Sequence, residues 1–265
     1  MALPLPPGLV PAEVAFLCEM ELVTIVPRQR LESIDLLSVS PSILTPRRVA
    51  SWNGATPALR PPARANLPLW LALLLKKQRR ANIVPPSWLH PTSLAEIVHQ
   101  ETNRDPDAFS PPPPPPIRAD GSGNASRYGA ASTGETLSAP FLPSCTAEAP
   151  PGALPYHWFE LAEMLLAHAA DDVPSSAEVR SLLRDLQEVR SAKLRRSTEE
   201  LGAKDENVMS LRGVGAMELA ESRGFFIGVM EGVRKIGASA EMSRREEDEE
   251  RGSDGGDYDE DEDML

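Results

Sequence analysis

The sequence predicts an α+β protein: a small N-terminal β-rich domain followed by an all-helical domain, with a disordered insertion and an acidic disordered tail. Three observations carry this expectation. Leu22, Val23, Ile25 and Val26 form a largely β-branched run closed by Pro27, the pattern of a strand. Beyond residue 66, apolar residues recur three and four apart, the spacing of helices with one buried face. Two blocks break that pattern: 11 of the 27 prolines fall between residues 104 and 153, and residues 241–265 carry 13 acidic against 3 basic groups. The expected domains are therefore residues 1–65, then 66–240 interrupted by the insertion at 104–153, then the tail at 241–265.

Taken in order, residues 13–19 place Val14, Phe16 and Leu17 in a helical turn that leads into the strand at 22–26. Residues 34–39 and 49–52 supply two further strand candidates, separated by a Pro- and Arg-rich loop. A helix is expected from Pro68, tolerated in a first turn, through Leu69, Trp70, Leu71, Leu73 and Leu74 to Lys76, Lys77, Arg79 and Arg80, with Pro85 and Pro86 stopping it. Ser93 with Glu96, and Ser175 with Glu178, read as capping boxes. Residues 156–170 form a helix apolar nearly all round, through Trp158, Leu161, Leu165 and Leu166, and so central. The helix after Ser175 carries a stripe of Val179, Leu182, Leu183, Leu186 and Val189, leaving Arg180, Arg184, Asp185, Glu188 and Arg190 for solvent or a partner.

The insertion, with six consecutive prolines at 111–116, cannot bury enough apolar surface to offset about 1–2 kcal/mol of ordering cost per residue. Cys18 and Cys145 are the only cysteines, too few for a disulfide framework or a metal quartet. The opening MALPLPPGLVP lacks a basic n-region, and no apolar run approaches the roughly 18 residues of a membrane span, so a soluble, unprocessed protein with no membrane partner is expected. The net charge of −12 is concentrated in the tail, leaving a body with local basic clusters.

The order ELVTIVP, LPLWLALLLKKQRR, PPSWL and DDVPSSAEVRSLLRDLQEVRSAKLR resembles the subunits of the GINS replication complex, in their filamentous-fungal form, over about three quarters of the chain. The resemblance implies a non-catalytic subunit of a nuclear heterotetramer with three other GINS subunits. That assembly joins the minichromosome maintenance (MCM) helicase ring and the cell-division-cycle factor forty-five in the replicative helicase. The residues expected at interfaces are Trp70, Leu73, Trp158, Leu161, Leu165, Leu182, Leu186, Gly224, Gly228 and Gly232.

Lys76, Lys77, Arg79 and Arg80 are candidate contacts for phosphate or an acidic partner, with Lys193, Arg195 and Arg196 a second cluster. The competing reading is that cations near a helix C-terminus stabilise it without any ligand. A nucleic-acid-binding accessory role, with weak or indirect DNA contact, is the alternative function. No P-loop, GxGxxG, GxSxG or HExxH occurs, and the four histidines are scattered, so no catalytic residue, cofactor or metal site is expected. The stripe Ala216, Ala220, Gly224, Gly228 and Gly232 repeats every four residues. It marks either an ordinary helix after a glycine-rich loop, or close approach of a second helix, while Leu219, Phe226, Met230, Val233 and Ile236 form a bulky face for the chain's own core.

Overall fold

The strand at Leu22–Pro27 lies at the centre of a sheet, which explains its near-continuous apolar run: Val23, Thr24 and Ile25 are all buried. The computed structural model describes residues 8–32, 58–113, 118–119, 125–126, 143–199 and 211–253. Helix α1 (Pro11–Cys18) opens on a proline that needs no hydrogen-bond partner, and buries Val14 and Cys18, four residues apart. Phe16 and Leu17, which share the helical turn with Val14, are exposed.

Strand β1 (Leu22–Pro27) pairs antiparallel on one side with β2 (Ala65–Pro68) and on the other with β3 (Ala81–Val84), in the order β2-β1-β3. Ile25 lies opposite Ala65 and Ile83, and Pro27 opposite Ala81. The strand candidates at 34–39 and 49–52 lie outside the described residues. β2 therefore straddles residue 65, the boundary expected for the β-rich part, and β3 lies wholly beyond it. ANLP and ANIV are short and flank a strong helical run, so pairing across β1, rather than local propensity, makes them strands.

Helix α2 (Leu69–Lys77) connects β2 to β3, burying Leu69, Leu71, Ala72 and Leu75. It ends at Lys77, three residues short of the expected Arg80, because Arg79 adopts φ 57° and Arg80 N donates back to Leu75 O at 2.9 Å. This left-handed exit turns the chain directly into β3. A 3₁₀ turn at Ser87–Leu89 buries Trp88 and Leu89, and α3 (Pro91–His99) follows. Because α3 starts at Pro91, Ser93 lies inside the helix and is buried, so the expected Ser93–Glu96 capping box does not form. Likewise Ser175 precedes α5 with φ 48°, not the extended conformation that an N-cap needs.

After a single π-helical turn at Gln100–Arg104 come the short ribbon of β4 (Arg118–Ala119) with β5 (Ala125–Ser126), then α4 (Trp158–His168), α5 (Ser176–Glu199) and α6 (Ala216–Ser253). Helix α4 is central as expected, with Trp158, Leu161, Ala162 and Leu165 at 0% exposure. One continuous core joins Val23 and Ile25 of the sheet, Leu71 and Leu75 of α2, Leu94 and Ile97 of α3, α4, and Val179, Leu183 and Leu186 of α5. Sheet and helices are thus folded around each other.

The interval 104–153 does not lie wholly outside the fold. Cys145 and Thr146 are fully buried beside the sheet, where Ala147 N donates to Thr24 Oγ1 (3.0 Å) and Ser87 Oγ donates to Ala147 O (3.1 Å). At the other end Ser110 is buried against the π-helical turn. The composition of this interval conceals these two packed ends, because backbone and small side chains make the contacts.

Candidate functional site

The sequence-nominated interface residues divide sharply. Trp158, Leu161, Leu165 and Leu186 are at 0% exposure inside the chain's own core, so they are not available to another subunit. Trp70, Leu73 and Leu182 are partly buried against that core. Gly228 and Gly232 lie along α6 with no other side chain or distant backbone among the described residues within 4 Å of where a Cβ would stand, and Gly224 is exposed, so no described helix of this chain approaches the stripe at Gly228 and Gly232.

The bulky side of α6 also departs from expectation. Leu219 and Phe226 pack inward with Leu194 and Val214, but Met230 is 62% exposed and Ile236 71% exposed. The helix outruns the core: with α5 ending at Glu199, nothing among the described residues covers the last turns of α6. From Phe226 onward, Val229, Val233, Ile236 and Ala240 recur at three and four residues, the seam spacing of helix pairing. Phe225 and Met242 add exposed apolar area. Beside the first half of α6, a groove of about 570 Å³ is lined by Leu9, Leu17, Met20 and Leu219.

The basic cluster is split as well. Lys76 is not free for phosphate: its Nζ lies 2.7 Å from both Asp171 Oδ2 and Asp172 Oδ2, with the side chain 9% exposed. Burial alone would lower the Lys76 pKa, but the two carboxylates outweigh it and hold the group above its ordinary value. Asp172 also accepts from Ile83 N (2.8 Å), so the Asp171–Asp172 pair ties the end of α4 to α2 and β3. Lys77, Arg79 and Arg80 remain exposed.

Arg190, expected on the outer face of α5, is completely buried. Its Nη1 donates to Glu101 Oε1 (2.6 Å), its Nε to Glu218 Oε1 (2.6 Å), and its Nη2 to Glu218 Oε2 (2.8 Å) and Gly213 O (2.7 Å). Lys193 is likewise buried, donating to Glu101 Oε2 (3.3 Å), Asp105 O (3.0 Å) and Ala108 O (2.7 Å). Burial pushes the Glu101 carboxyl up, but Arg190, the Ser110 N–H and Lys193 together hold it below the ordinary range. Two cations and two carboxylates thus staple the π-helical turn, α5 and α6 together, with Phe109 and Trp158 facing the guanidinium. Gly213 at φ 86° carries the carbonyl that Arg190 needs, and a Cβ there would meet Ser110 O at 2.7 Å. The buried face of α5 runs 179, 183, 186, 190, 193, so the stripe's own spacing points to Arg190 and Lys193; their charge argued against it.

A second buried group surrounds Glu21, whose carboxylate oxygens, like Glu160 Oε2, have no nitrogen or oxygen donor among the described residues, while His157 Nδ1 lies 3.2 Å from Glu160 Oε1. Desolvation, opposed by His157 and Cys145 and reinforced by Glu160, raises the Glu21 pKa to about 7. Among the described residues no three His, Cys, Asp or Glu side chains converge to hold a metal ion, and no helix is long and apolar enough to cross a membrane.

A small antiparallel sheet sharing its core with a helical bundle, and a long terminal helix with an uncovered seam, are features of a subunit built for assembly. Residues 88–237 match the family model described as the GINS complex protein helical bundle domain, which places the chain in the class of GINS subunits. Residues 10–52 and 45–84 match the PSF2 N-terminal domain, a boundary that agrees with the observed sheet ending at Val84. Proteins named DNA replication complex GINS protein PSF2 are similar along their length. That of Gibberella zeae is 69% identical, with 92% of this chain and 91% of the relative covered. The Neurospora crassa protein is 61% identical, with 99% and 98% covered, and the Schizosaccharomyces pombe protein 31% identical, with 85% and 90% covered. The chain belongs to the PSF2 family of GINS DNA replication complex proteins, PSF2 being the partner of Sld five numbered two.

Proposed function

We propose that this chain is a non-catalytic structural subunit of a nuclear four-subunit GINS assembly, which couples the MCM ring to the cell-division-cycle factor forty-five in the replicative helicase. The observation that carries the reading is the seam of α6. A helix that leaves its own core after Phe226 and continues with Met230, Ile236 and Met242 exposed by 62–71% has a face that water disfavours and a neighbouring subunit would cover. Exposed Phe16, Leu17 and Met20 on and just beyond α1, which packs beside α6, enlarge that face. Membership of the PSF2 family supports the identity of the neighbours as the three other GINS subunits.

Co-expression with those three subunits, followed by native mass measurement, tests the reading. A complex holding one copy of each is expected, and Met230→Glu with Ile236→Glu should abolish uptake of this chain. A stable, cooperatively unfolding monomer that takes up none of the three would overturn it. A role resting on the basic helix ends alone is less favoured, because Lys76 and Lys193 are both engaged in ion pairs inside the chain.

A further inference from the structure

The antiparallel register brings three loops to one end of the sheet. Because Ile25 faces Ala65 and Pro27 faces Ala81, the residues leaving β1 (28–32), those entering β2 (58–64) and those entering β3 (77–80) lie side by side. They are stitched together: Leu31 and Leu59 exchange both backbone hydrogen bonds at 2.9 Å, Arg28 N donates to Arg80 O (2.8 Å), and Arg28 Nε donates to Asn82 Oδ1 (2.9 Å). These segments hold Arg28, Arg30, Arg60, Arg64, Lys77, Arg79 and Arg80, all exposed, against the single acid Glu32. Asp171, which feels the field of Arg28, is already bound by Lys76. In a chain of net charge −12 this concentration is not a consequence of composition. The helix dipole accounts for Lys77 in the last turn of α2, but it has no bearing on the four arginines of the other two loops.

We propose that this end of the sheet is a contact surface for the phosphate backbone of duplex nucleic acid, read without regard to sequence. Six of the seven cations are arginines, whose planar forks suit bidentate phosphate contact. The three segments adjoin neighbouring strands, which are spaced about 4.8 Å apart, so the cations are distributed over three adjacent segments instead of one. The large apolar residues of these loops, Leu31 and Leu59, are both 4% exposed, so among the described residues this end offers no apolar anchor of the kind that protein partners use. Nor do the described residues of these loops include an aromatic ring on which a base could stack, which favours the backbone over unpaired bases.

The proposal rests on the GINS reading to the extent that the test uses the assembled four-subunit complex. Binding of a fluorescent mixed-sequence duplex of about 30 base pairs is followed by anisotropy over a range of salt, where each phosphate contact adds about −0.9 to the slope of log K against log salt. Lys77→Gln with Arg79→Asn and Arg80→Gln should flatten the slope by about 2 to 3, asparagine being chosen because Arg79 has φ 57°. Arg60→Gln with Arg64→Gln, from a different loop, should flatten it by about 2. Native mass of the unsubstituted complex tests the GINS reading by itself, so the two failures are distinguishable; a loop variant that no longer assembles where the wild type does would place these residues in a subunit interface and overturn the proposal. Unchanged slopes in both assembled variants, an effect confined to one loop, or displacement of the duplex by poly-glutamate at lower charge concentration than by unlabelled duplex would each overturn the proposal, the last in favour of an acidic protein segment.

Discussion

Replacing Arg190 with methionine tests how far the fold depends on its buried ionic staple. Methionine keeps the length and apolar stem of the side chain while removing four donated hydrogen bonds, three of them to carboxylates. Glu101, with 1% of its side chain exposed, and Glu218, with 8%, then lose the guanidinium they share; Glu101 keeps Lys193 and the Ser110 N–H, and Glu218 keeps the Gly215 N–H. Removing one partner of a buried ion pair costs about 3–5 kcal/mol, chiefly because the remaining charge is stranded. For a domain of this size each kcal/mol lowers the thermal midpoint by about 2–4 °C, so a drop of about 6–20 °C is expected. Scanning calorimetry of the four-subunit complex is the assay, with Arg190→Lys expected to fall between the wild type and Arg190→Met because it restores charge without the fork. Adding Glu101→Gln to Arg190→Met should recover about 1–2 kcal/mol by removing one stranded charge. The folded pKa of Glu101 is below its ordinary 4.5, so its stabilising share is present above pH 4.5 and is lost as pH falls through the folded value. The gap between wild type and Arg190→Met should therefore narrow on acidification. A midpoint shift under about 2 °C for Arg190→Met at neutral pH would refute the reasoning.

Glu21 titrates with the opposite sign: its folded pKa of about 7 lies above the ordinary 4.5, so stability is fully present below pH 4.5 and declines as pH rises through 7. Glu21→Gln should raise the midpoint at pH 8 by an amount equivalent to about 1–3 kcal/mol and flatten the profile between pH 4.5 and 7; an unchanged profile would exclude a buried titrating carboxyl. Asp172→Ala leaves Ile83 N without its acceptor and should cost about 1–3 kcal/mol, read from the midpoint, whereas a neutral effect would mean that water replaces the carboxylate. Replacing residues 127–142 with a Gly-Ser tract of equal length should leave tetramer yield unchanged, while Thr146→Pro should lower it, because Thr146 is fully buried between the contacts of Ser144–Ala149 and the sheet. A Cβ at Gly228 would meet nothing within 4 Å among the described residues, so Gly228→Ala and Gly228→Leu each gain up to about 1 kcal/mol of helix propensity where the face stays exposed. In the tetramer a close-packed partner would tolerate alanine and reject leucine, and equal stabilisation by both would end the close-approach reading of the stripe.

The sequence alone determined the central strand, the apolar helix α4, the spacing of α5 and the α+β order, because each is a local pattern whose period survives folding. The four-block order was also enough to indicate the GINS family. Tertiary structure decided what local pattern cannot encode. ANLP and ANIV became strands because β1 offers two free edges to them, and residues 143–149 joined the core through backbone and small side chains without any hydrophobic period. Arg190 and Lys193 lie on the buried side of α5 because Glu101 and Glu218, 89 and 28 residues from Arg190 along the chain, meet them there. A buried charge is tolerable only with its partners, and those partners are brought together by the fold, so exposure could not be read from residue type. The same holds for the candidate site. Trp158, Leu161, Leu165 and Leu186 are as apolar as any interface residue, and only the packing of α4 and α5 shows that this chain buries them itself, while no described residue covers the seam of α6.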